Sequence, residues 1–231
     1  MLKIEKLNVY YGESHILRDV DLEVRAGEVV CLMGRNGVGK TTLLKTVTGL
    51  LSARSGKVSV GDREVTRLPS FRRARLGVGY APQGRDIFGQ LTVYENLLVG
   101  LDGCRNGDRG VPEEIFELFP VLKQMLKRKG GDLSGGQQQQ LAIGRALVSK
   151  PTLLLLDEPT EGIQPSIIQD IERAIRRLRE RGTVAILLVE QYLDFARRLA
   201  DAFAVMEKGE IVKRGAIAEL TPEVIKRHLA V

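Results

Sequence analysis

A glycine-rich segment at residues 34–42 carries the clearest chemical signal in the sequence. Its first eight residues fit the phosphate-loop pattern G-x-x-x-x-G-K-[ST], with Thr42 following: Gly34, Arg35, Asn36, Gly37, Val38, Gly39, Lys40 and Thr41. The glycines let backbone N–H groups surround a phosphate, and a helix beginning here adds the positive end of its dipole. Lys40 supplies a cation for β- and γ-phosphates, and the Thr41 hydroxyl is a candidate Mg²⁺ ligand. The segment therefore predicts a site for nucleotide phosphates.

Two acids, Asp157 and Glu158, directly follow the leucine run at residues 153–156. Carboxylates at the C-terminal end of a buried strand lie at the sheet edge where ligands bind in open α/β folds. Asp157 is the predicted Mg²⁺ partner, directly or through water, and Glu158 is the candidate to polarise an attacking water. A strand that merely ends in solvated acids is the simpler alternative, but the phosphate loop in the same chain favours the chemical interpretation.

The elements that must position these residues alternate between strands and helices. Apolar runs at residues 28–33, 153–156 and 184–189 indicate strands covered on both faces of a parallel sheet. Between residues 84 and 147 the apolar residues recur instead at helical spacing. We therefore expect an α/β protein with a mostly parallel sheet and helices on both faces, and an all-helical lobe inserted into it.

The composition limits the remaining classes of protein. The net charge of +6 is spread over short clusters, which favours solvated helix faces over a nucleic-acid surface. The N-terminus has no apolar core typical of a signal peptide, and no apolar run is long enough to cross a bilayer, so any membrane part is expected from another subunit. Cys31 and Cys104 fit free thiols in a reducing cytosol and suggest no metal site.

A second glycine-containing motif lies between the phosphate loop and the acid pair. Leu133 is followed by Ser134, Gly135, Gly136 and Gln137, and these residues are expected to begin another helix. A helix N-terminus of this kind is a second anion cradle. One nucleotide does not need two cradles from one chain, so the motif predicts a head-to-tail dimer in which each chain caps the nucleotide of the other.

This motif resembles the signature of ABC transporter ATPases, and the resemblance covers essentially the whole chain. It implies a P-loop NTPase fold of the ABC type: a single domain over 1–231, with a core at 1–83 and 148–231, a small antiparallel β region, and a helical subdomain at 84–147. It also implies ATP and Mg²⁺ as cofactors, Tyr11 stacking on adenine, and Gln83 acting in catalysis and as an Mg²⁺ ligand. Plain strand packing is the alternative for Tyr11.

The sequence departs from the family pattern at two places. Gln191 stands where the family usually carries a switch histidine, and the loop after the acids, at residues 161–164, lacks the usual aspartate. Glutamine can donate a hydrogen bond to a γ-phosphate but cannot be a cation, so we expect weaker stabilisation of the transition state. The chain is therefore expected to hydrolyse ATP slowly alone. A heterodimer with a histidine-bearing ATPase is favoured, and a homodimer stays open.

Within the family, residues 189–191 and 117–120 resemble the ATPases of branched-chain amino-acid importers. Residues 158–168 and the glutamine run at 137–140 look most like the urea-transporter member of that group. The resemblance implies uptake of a small polar solute, with urea favoured over branched-chain amino acids. It also implies transmembrane permease subunits, whose coupling helix is received by the lobe around residues 88–98. A periplasmic solute-binding protein acting indirectly and a peripheral position on the cytoplasmic face of the inner membrane are implied as well.

A soluble, non-transport ABC ATPase acting on ribosomes or DNA is the remote alternative. Translation-type members carry two motor domains, whereas this chain has one phosphate loop, and no long heptad coiled coil of the chromosome type is visible. A small-molecule P-loop kinase would have no use for the motif at residues 133–137.

Overall fold

A computed structural model describes residues 1–103 and 110–228 of the chain. Cys104 and the loop around it, for which the sequence predicts a free thiol, lie outside the described residues. The strands are β1 Leu2–Tyr11, β2 Ser14–Val24, β3 Val29–Met33, β4 Ser55–Val60, β5 Arg63–Glu64, β6 Val78–Ala81, β7 Leu153–Asp157, β8 Ala185–Val189, β9 Ala202–Glu207 and β10 Glu210–Ala216. The helices are α1 Lys40–Thr48, α2 Ser70–Arg75, α3 Val93–Gly100, α4 Glu113–Leu118, α5 Pro120–Gln124, α6 Gly135–Leu147, α7 Pro165–Glu180, α8 Leu193–Leu199 and α9 Pro222–His228.

The central sheet of the described chain has the strand order β10-β9-β3-β8-β7-β6. The pairs from β9 to β6 are all parallel, and β10 joins β9 as an antiparallel edge strand. Every residue of β3, β7 and β8 is buried, as expected for parallel strands covered on both faces. The predicted α/β class with a mostly parallel sheet is therefore confirmed.

A smaller antiparallel sheet has the order β2-β1-β4-β5. The pairing register of its two long strands shifts near Lys6 in β1 and Asp19 in β2, where the backbone adopts positive φ angles of 46° and 43°. The alternation at residues 20–24 predicts a short second strand, but β2 already begins at Ser14. The first half of β2 is not predictable from the alternation, because the register shift at Asp19 interrupts it.

The named elements between β6 and β7 are all helices or short 3₁₀ turns in the described residues. Helix α3 begins with a reciprocal capping box between Thr92 and Glu95, which provides partners for N–H groups at the helix start. Buried Asn96 exchanges two hydrogen bonds with the backbone of Phe88, at 2.8 and 3.0 Å, and so holds the preceding loop against this helix. The assignment of residues 84–147 as a separate subdomain stays a prediction.

The central sheet divides the apolar core into two clusters, since successive side chains of a strand point to opposite faces. From β7, Leu154 and Leu156 pack on the side of the helical region together with α7 and α8. Leu153 and Leu155 pack on the other side, against α1 and the antiparallel sheet. No helix in the described residues combines the length and the apolar character needed to cross a membrane.

Candidate nucleotide site

The phosphate loop connects β3 to α1 at the C-terminal edge of the central sheet. Two of its glycines are required by the backbone. Gly34 has a φ of 149°, and a Cβ atom there would lie 2.4 Å from the Met206 carbonyl oxygen. Gly39 precedes α1 with a φ of 115°, and its Cβ would lie 2.8 Å from a Leu17 methyl carbon. The loop therefore keeps its tight course only with glycine at these positions.

Lys40 lies inside this loop. Its side chain is 5% exposed, and Nζ donates to the carbonyl oxygens of Gly34 at 2.7 Å and Arg35 at 3.0 Å. The same Nζ lies 3.6 Å from Oε1 of Glu158. The loop thus holds one cation among its own carbonyl groups, at the point where α1 begins and its dipole is positive. This arrangement suits a phosphate chain.

Thr41 and Asp157 meet beside the loop, as the sequence predicted for an Mg²⁺ site. The Thr41 hydroxyl donates to Oδ1 of Asp157 at 3.4 Å, and the Tyr80 hydroxyl donates to Oδ2 at 3.3 Å. Asp157 is 1% exposed, and burial raises the pKa of its carboxyl group. No group of three or more His, Cys, Asp or Glu side chains suited to a metal occurs in the described ranges. The hydroxyl and single carboxylate fit Mg²⁺, which is held by few protein oxygens together with substrate phosphates.

Glu158 follows β7 in a left-handed backbone conformation, with a φ of 48°. Its N–H donates to the Val189 carbonyl at 2.9 Å, so the neighbouring strand β8 fixes the turn. A residue with a Cβ atom is disfavoured in this conformation by about 1–2 kcal/mol. The turn directs the carboxylate back over the sheet edge, where it lies beside Lys40.

Gln191 contacts both the phosphate loop and Glu158. Its Nε2 donates to Oδ1 of Asn36 at 2.7 Å and to Oε1 of Glu158 at 2.7 Å. The side chain that stands at the histidine position of the family pattern therefore lies in the site. Both of its amide N–H groups are engaged by these two oxygens.

Gln83 reaches the same carboxylate from the other side. It follows β6, and its Nε2 donates to Oε2 of Glu158 at 3.3 Å and to Glu161 at 3.0 Å. The structure therefore brings Gln83, Gln191 and Lys40 together around Glu158. The role of Gln83 as an Mg²⁺ ligand stays a prediction.

Tyr11 lies at the end of β1 next to α1. Its hydroxyl is 3.4 Å from the Thr42 hydroxyl, and the residue is 46% exposed. The ring is held at its hydroxyl and is open to solvent, so it is available for stacking on a base. Adenine stacking by Tyr11 stays a prediction.

The Ser134 to Gln137 motif forms the N-terminus of α6 in the helical region. The two residues make a reciprocal capping box, with the Gln137 N–H donating to Ser134 Oγ at 3.4 Å and the Ser134 N–H donating to Gln137 Oε1 at 2.9 Å. Arg85 lies beside Gly135 and donates to Gln138 at 3.4 Å. The anion-cradle role of Ser134, Gly135, Gly136 and Gln137 stays a prediction.

Sequence reasoning missed four polar residues that lie in this site or in the loops beside it: Tyr80, Thr160, Glu161 and Glu190. The detectable signal is the strand end, because each lies at or within a few residues of the C-terminal end of β6, β7 or β8. Polar residues at that edge of a parallel sheet are candidates for the site irrespective of motifs.

The fold and the site together define a P-loop nucleotide-binding protein. The sequence matches the profile of the family described as ABC transporter over residues 17–161. It is 45% identical to the high-affinity branched-chain amino acid transport ATP-binding protein BraG of Pseudomonas aeruginosa, covering 99% of each chain. It is 40% identical to the probable branched-chain amino acid transport ATP-binding protein LivF of Archaeoglobus fulgidus, covering 95% of this chain and 94% of the relative.

Solved structures agree with the sequence comparison. A dimeric ATP-binding cassette in a post-hydrolysis state, bound to ADP and phosphate, superposes with a TM-score of 0.84 at 26% identity, over 94% of this chain and 99% of that chain. A nucleotide-free cassette of an ABC transporter superposes with a TM-score of 0.82 at 30% identity, over 99% and 94%. The chain belongs to the ABC transporter family and is the ATP-binding subunit of a transporter, an ATPase whose relatives include branched-chain amino-acid transport ATPases.

Proposed function

We propose that the chain drives an ABC importer for a small polar solute by hydrolysing ATP at Glu158. The observation that carries the proposal is the convergence on this carboxylate: Lys40 Nζ lies 3.6 Å from Oε1, and Gln191 donates to the same oxygen at 2.7 Å. A carboxylate held beside a phosphate loop is placed to polarise water for attack on a γ-phosphate.

In this proposal residues 34–42 bind the phosphates and Tyr11 stacks on adenine. Thr41 and Asp157, with Gln83 on the other side of the site, would hold Mg²⁺, which when bound neutralises charge on the β- and γ-phosphate oxygens. Gln191 is placed to donate a hydrogen bond to developing charge on the γ-phosphate, but it contributes no positive charge of its own.

The working unit in this proposal is a dimer in which ATP lies between two chains. The Ser134 to Gln137 motif of one chain caps the nucleotide held by residues 34–42 of the other, and ATP binding closes the pair. A heterodimer is favoured, since Gln191 leaves this site without the histidine that a homologous partner ATPase would bring to the other site. A similar cassette has been solved as a dimer bound to ADP and phosphate, which supports the dimer itself.

The permease is proposed to dock in a groove of about 750 Å³ between α2, α3 and α6. The groove includes the exposed apolar side chains of Phe71, Phe88 and Val99, which suit the apolar face of a helix from another subunit. With the permease docked there, the chain is proposed to lie on the cytoplasmic face of the inner membrane, with a periplasmic solute-binding protein acting indirectly through the permease. The match to the family described as ABC transporter disfavours the alternative of a soluble, non-transport ATPase, which would not sediment with membranes or co-purify with a permease.

Urea is the proposed cargo on the sequence likeness at residues 158–168. A branched-chain amino acid is the second candidate, favoured by the name of a relative that is 45% identical over 99% of the chain. The cargo contacts the permease and the binding protein rather than the nucleotide site, so transport-coupled activity must decide between them.

The deciding experiment measures ATPase activity of the membrane complex co-purified with this chain, together with its periplasmic binding protein. Stimulation by urea and not by leucine supports the proposed cargo, and stimulation by leucine alone overturns it while keeping the importer. The Lys40→Ala variant is the control, and we expect it to abolish turnover. Normal turnover in that variant would contradict the assignment of the site.

A further inference from the structure

Glu190 is a buried carboxylate that the assignments above do not use. It lies between the end of β8 and Gln191 and is 2% exposed. Burial raises the pKa of its carboxyl group, while hydrogen bonds from Thr160, Tyr192 and Gln191 oppose that rise. A carboxylate in such a place is unfavourable unless its oxygens are well satisfied.

Both oxygens of Glu190 are satisfied, and by two different segments. Oε1 accepts hydrogen bonds from the Thr160 N–H at 3.1 Å and the Thr160 hydroxyl at 2.6 Å. Oε2 accepts from the backbone N–H groups of Gln191 at 2.9 Å and Tyr192 at 3.0 Å. One side chain therefore joins the loop that follows Glu158 to the loop that contains Gln191.

The two joined loops supply groups that meet in the site. Thr160 lies between Glu158 and Glu161, and Glu161 accepts a hydrogen bond from Gln83 at 3.0 Å. The other loop contributes the Gln191 amide, which is 2.7 Å from Glu158 Oε1. Gln191 itself is exposed, so contacts with buried neighbours such as Glu190 must hold its backbone.

We propose that Glu190 is a positioning residue for ATP hydrolysis, which clamps the loop after Glu158 to the backbone of residues 191 and 192 and so keeps the Gln191 amide against Glu158. The proposal rests on the proposed function, in which Glu158 and Gln191 carry the hydrolysis. It adds that the correct separation of these two side chains depends on a carboxylate that bonds to neither side chain. Its hydrogen bonds go to Thr160 and to the backbone N–H groups of residues 191 and 192.

The first test is Glu190→Gln in the full chain. A glutamine keeps one accepting oxygen, but its NH₂ group cannot accept from backbone N–H groups, so one side of the clamp is lost. A misplacement of about 1 Å in a catalytic site costs on the order of 100-fold, so we expect kcat to fall about 10- to 100-fold. The KM for ATP should change less than about twofold, because the phosphate loop is untouched.

A double-mutant cycle with Gln191→Ala separates positioning from general destabilisation. If Glu190 acts through Gln191, the loss caused by Glu190→Gln should shrink to less than about threefold when Gln191 is already alanine. An equal loss in both backgrounds overturns the proposal, as does wild-type kcat in the single variant. If Glu190→Gln does not fold, Thr160→Val replaces it in the cycle, with a smaller loss expected and the same non-additivity required.

Asp201→Asn is the matched control. Asp201 is also a carboxylate that joins two segments, accepting from the Val29 N–H at 2.9 Å and from Arg179, but it lies where β3 and β9 begin, at the sheet edge opposite the site. We expect this variant to lower the unfolding temperature and keep wild-type kcat. If Lys40→Ala retains turnover, the proposed function fails; if Lys40→Ala is inactive while the Glu190 cycle is additive, only the role of Glu190 fails.

Discussion

At the scale of single residues, the site is organised around Glu158. Its two oxygens receive a cation from Lys40 and amide groups from Gln191 and Gln83. Gln83 and Gln191 follow the C-terminal ends of β6 and β8, and Lys40 begins α1 after the phosphate loop. One of these groups, the Gln191 amide, stands where the family usually carries a histidine. Glutamine holds Glu158 by a hydrogen bond, whereas a histidine at the same place could also carry positive charge.

Replacing Gln191 with histidine should therefore raise turnover. We expect Gln191→His to increase kcat of the isolated chain several-fold, since a protonated imidazole stabilises developing phosphate charge better than a neutral amide. Steady-state ATPase assays between pH 6 and about pH 8 check this, because the gain should diminish as a histidine of ordinary pKa near 6.5 loses its proton. An unchanged rate would argue against slow hydrolysis caused by Gln191.

The motif residues were predictable from the sequence because their types and spacing are fixed by phosphate chemistry. Lys40, Thr41, Asp157 and Glu158 all lie in one place, as the motifs predicted. Glu190 and Thr160 escaped prediction because their function depends on which loops are neighbours in space. A single glutamate after an apolar strand gives no sign that one of its partners, Thr160, lies 30 residues away.

At the scale of elements, hydrophobic periodicity predicted the buried strands well and the exposed ones poorly. The fully buried β3, β7 and β8 were placed to within one residue. The apolar pair Ile211 and Val212 predicts a short strand at residues 211–212, whereas β10 extends over Glu210–Ala216. The full length of β10 was not predictable, because most of its residues are exposed and its pairing with β9 defines it. The charges of Lys213 and Arg214 protect this edge from pairing with other chains.

Helix α1 after the phosphate loop depends on a buried arginine that no motif indicated. Arg73 in α2 is 3% exposed and donates to the carbonyl oxygens of Thr46 at 2.7 Å and Val47 at 3.0 Å. It also donates to the carbonyls of Leu68 and Thr66, both at 2.8 Å. A cation at the C-terminal end of a helix is favourable for the helix dipole as well.

Removing this guanidinium should destabilise the fold. Arg73→Met leaves several buried carbonyl oxygens without a donor, so we expect the free energy of unfolding to fall by about 3 kcal/mol. Urea denaturation followed by circular dichroism measures the change. Arg72→Met is the control on the exposed side of the same helix, where about 0.5 kcal/mol or less is expected. Equal losses in both variants would contradict the role given to Arg73.

At the scale of the whole molecule, the proposed dimer is the testable consequence of two anion cradles, one at the phosphate loop and the other predicted at the N-terminus of α6. Glu158→Gln preserves the size of the side chain but removes the base, so ATP should bind without being hydrolysed. We expect this variant to form a stable dimer in ATP and Mg²⁺ and to stay monomeric in ADP, as measured by analytical ultracentrifugation. If the pair requires a homologous ATPase, the dimer should form only after that subunit is added. A variant that remains monomeric with the partner present contradicts the sandwich arrangement.

The proposed permease groove supports a second prediction at this scale. Phe88 is 48% exposed, and the Arg145 guanidinium lies 5.2 Å from the centre of its ring. We expect Phe88→Ala to reduce co-purification of the chain with the permease at least about tenfold, since aromatic anchors dominate such interfaces. Leu50→Ala is the control, because Leu50 is 57% exposed and does not line the groove. Equal recovery of both variants would place the docking surface elsewhere.

The left-handed turn at Glu158 also affects how such a site would lose its hydrolytic activity by mutation during evolution. Glycine and asparagine accept a φ of 48° more readily than glutamate, so the position retains glutamate only while its carboxylate is needed. A duplicated copy released from hydrolysis would be expected to drift there toward glycine or asparagine, gaining a relaxed backbone as it loses its base. In a heterodimer, the residue at this turn would then indicate which subunit hydrolyses ATP and which subunit only binds it.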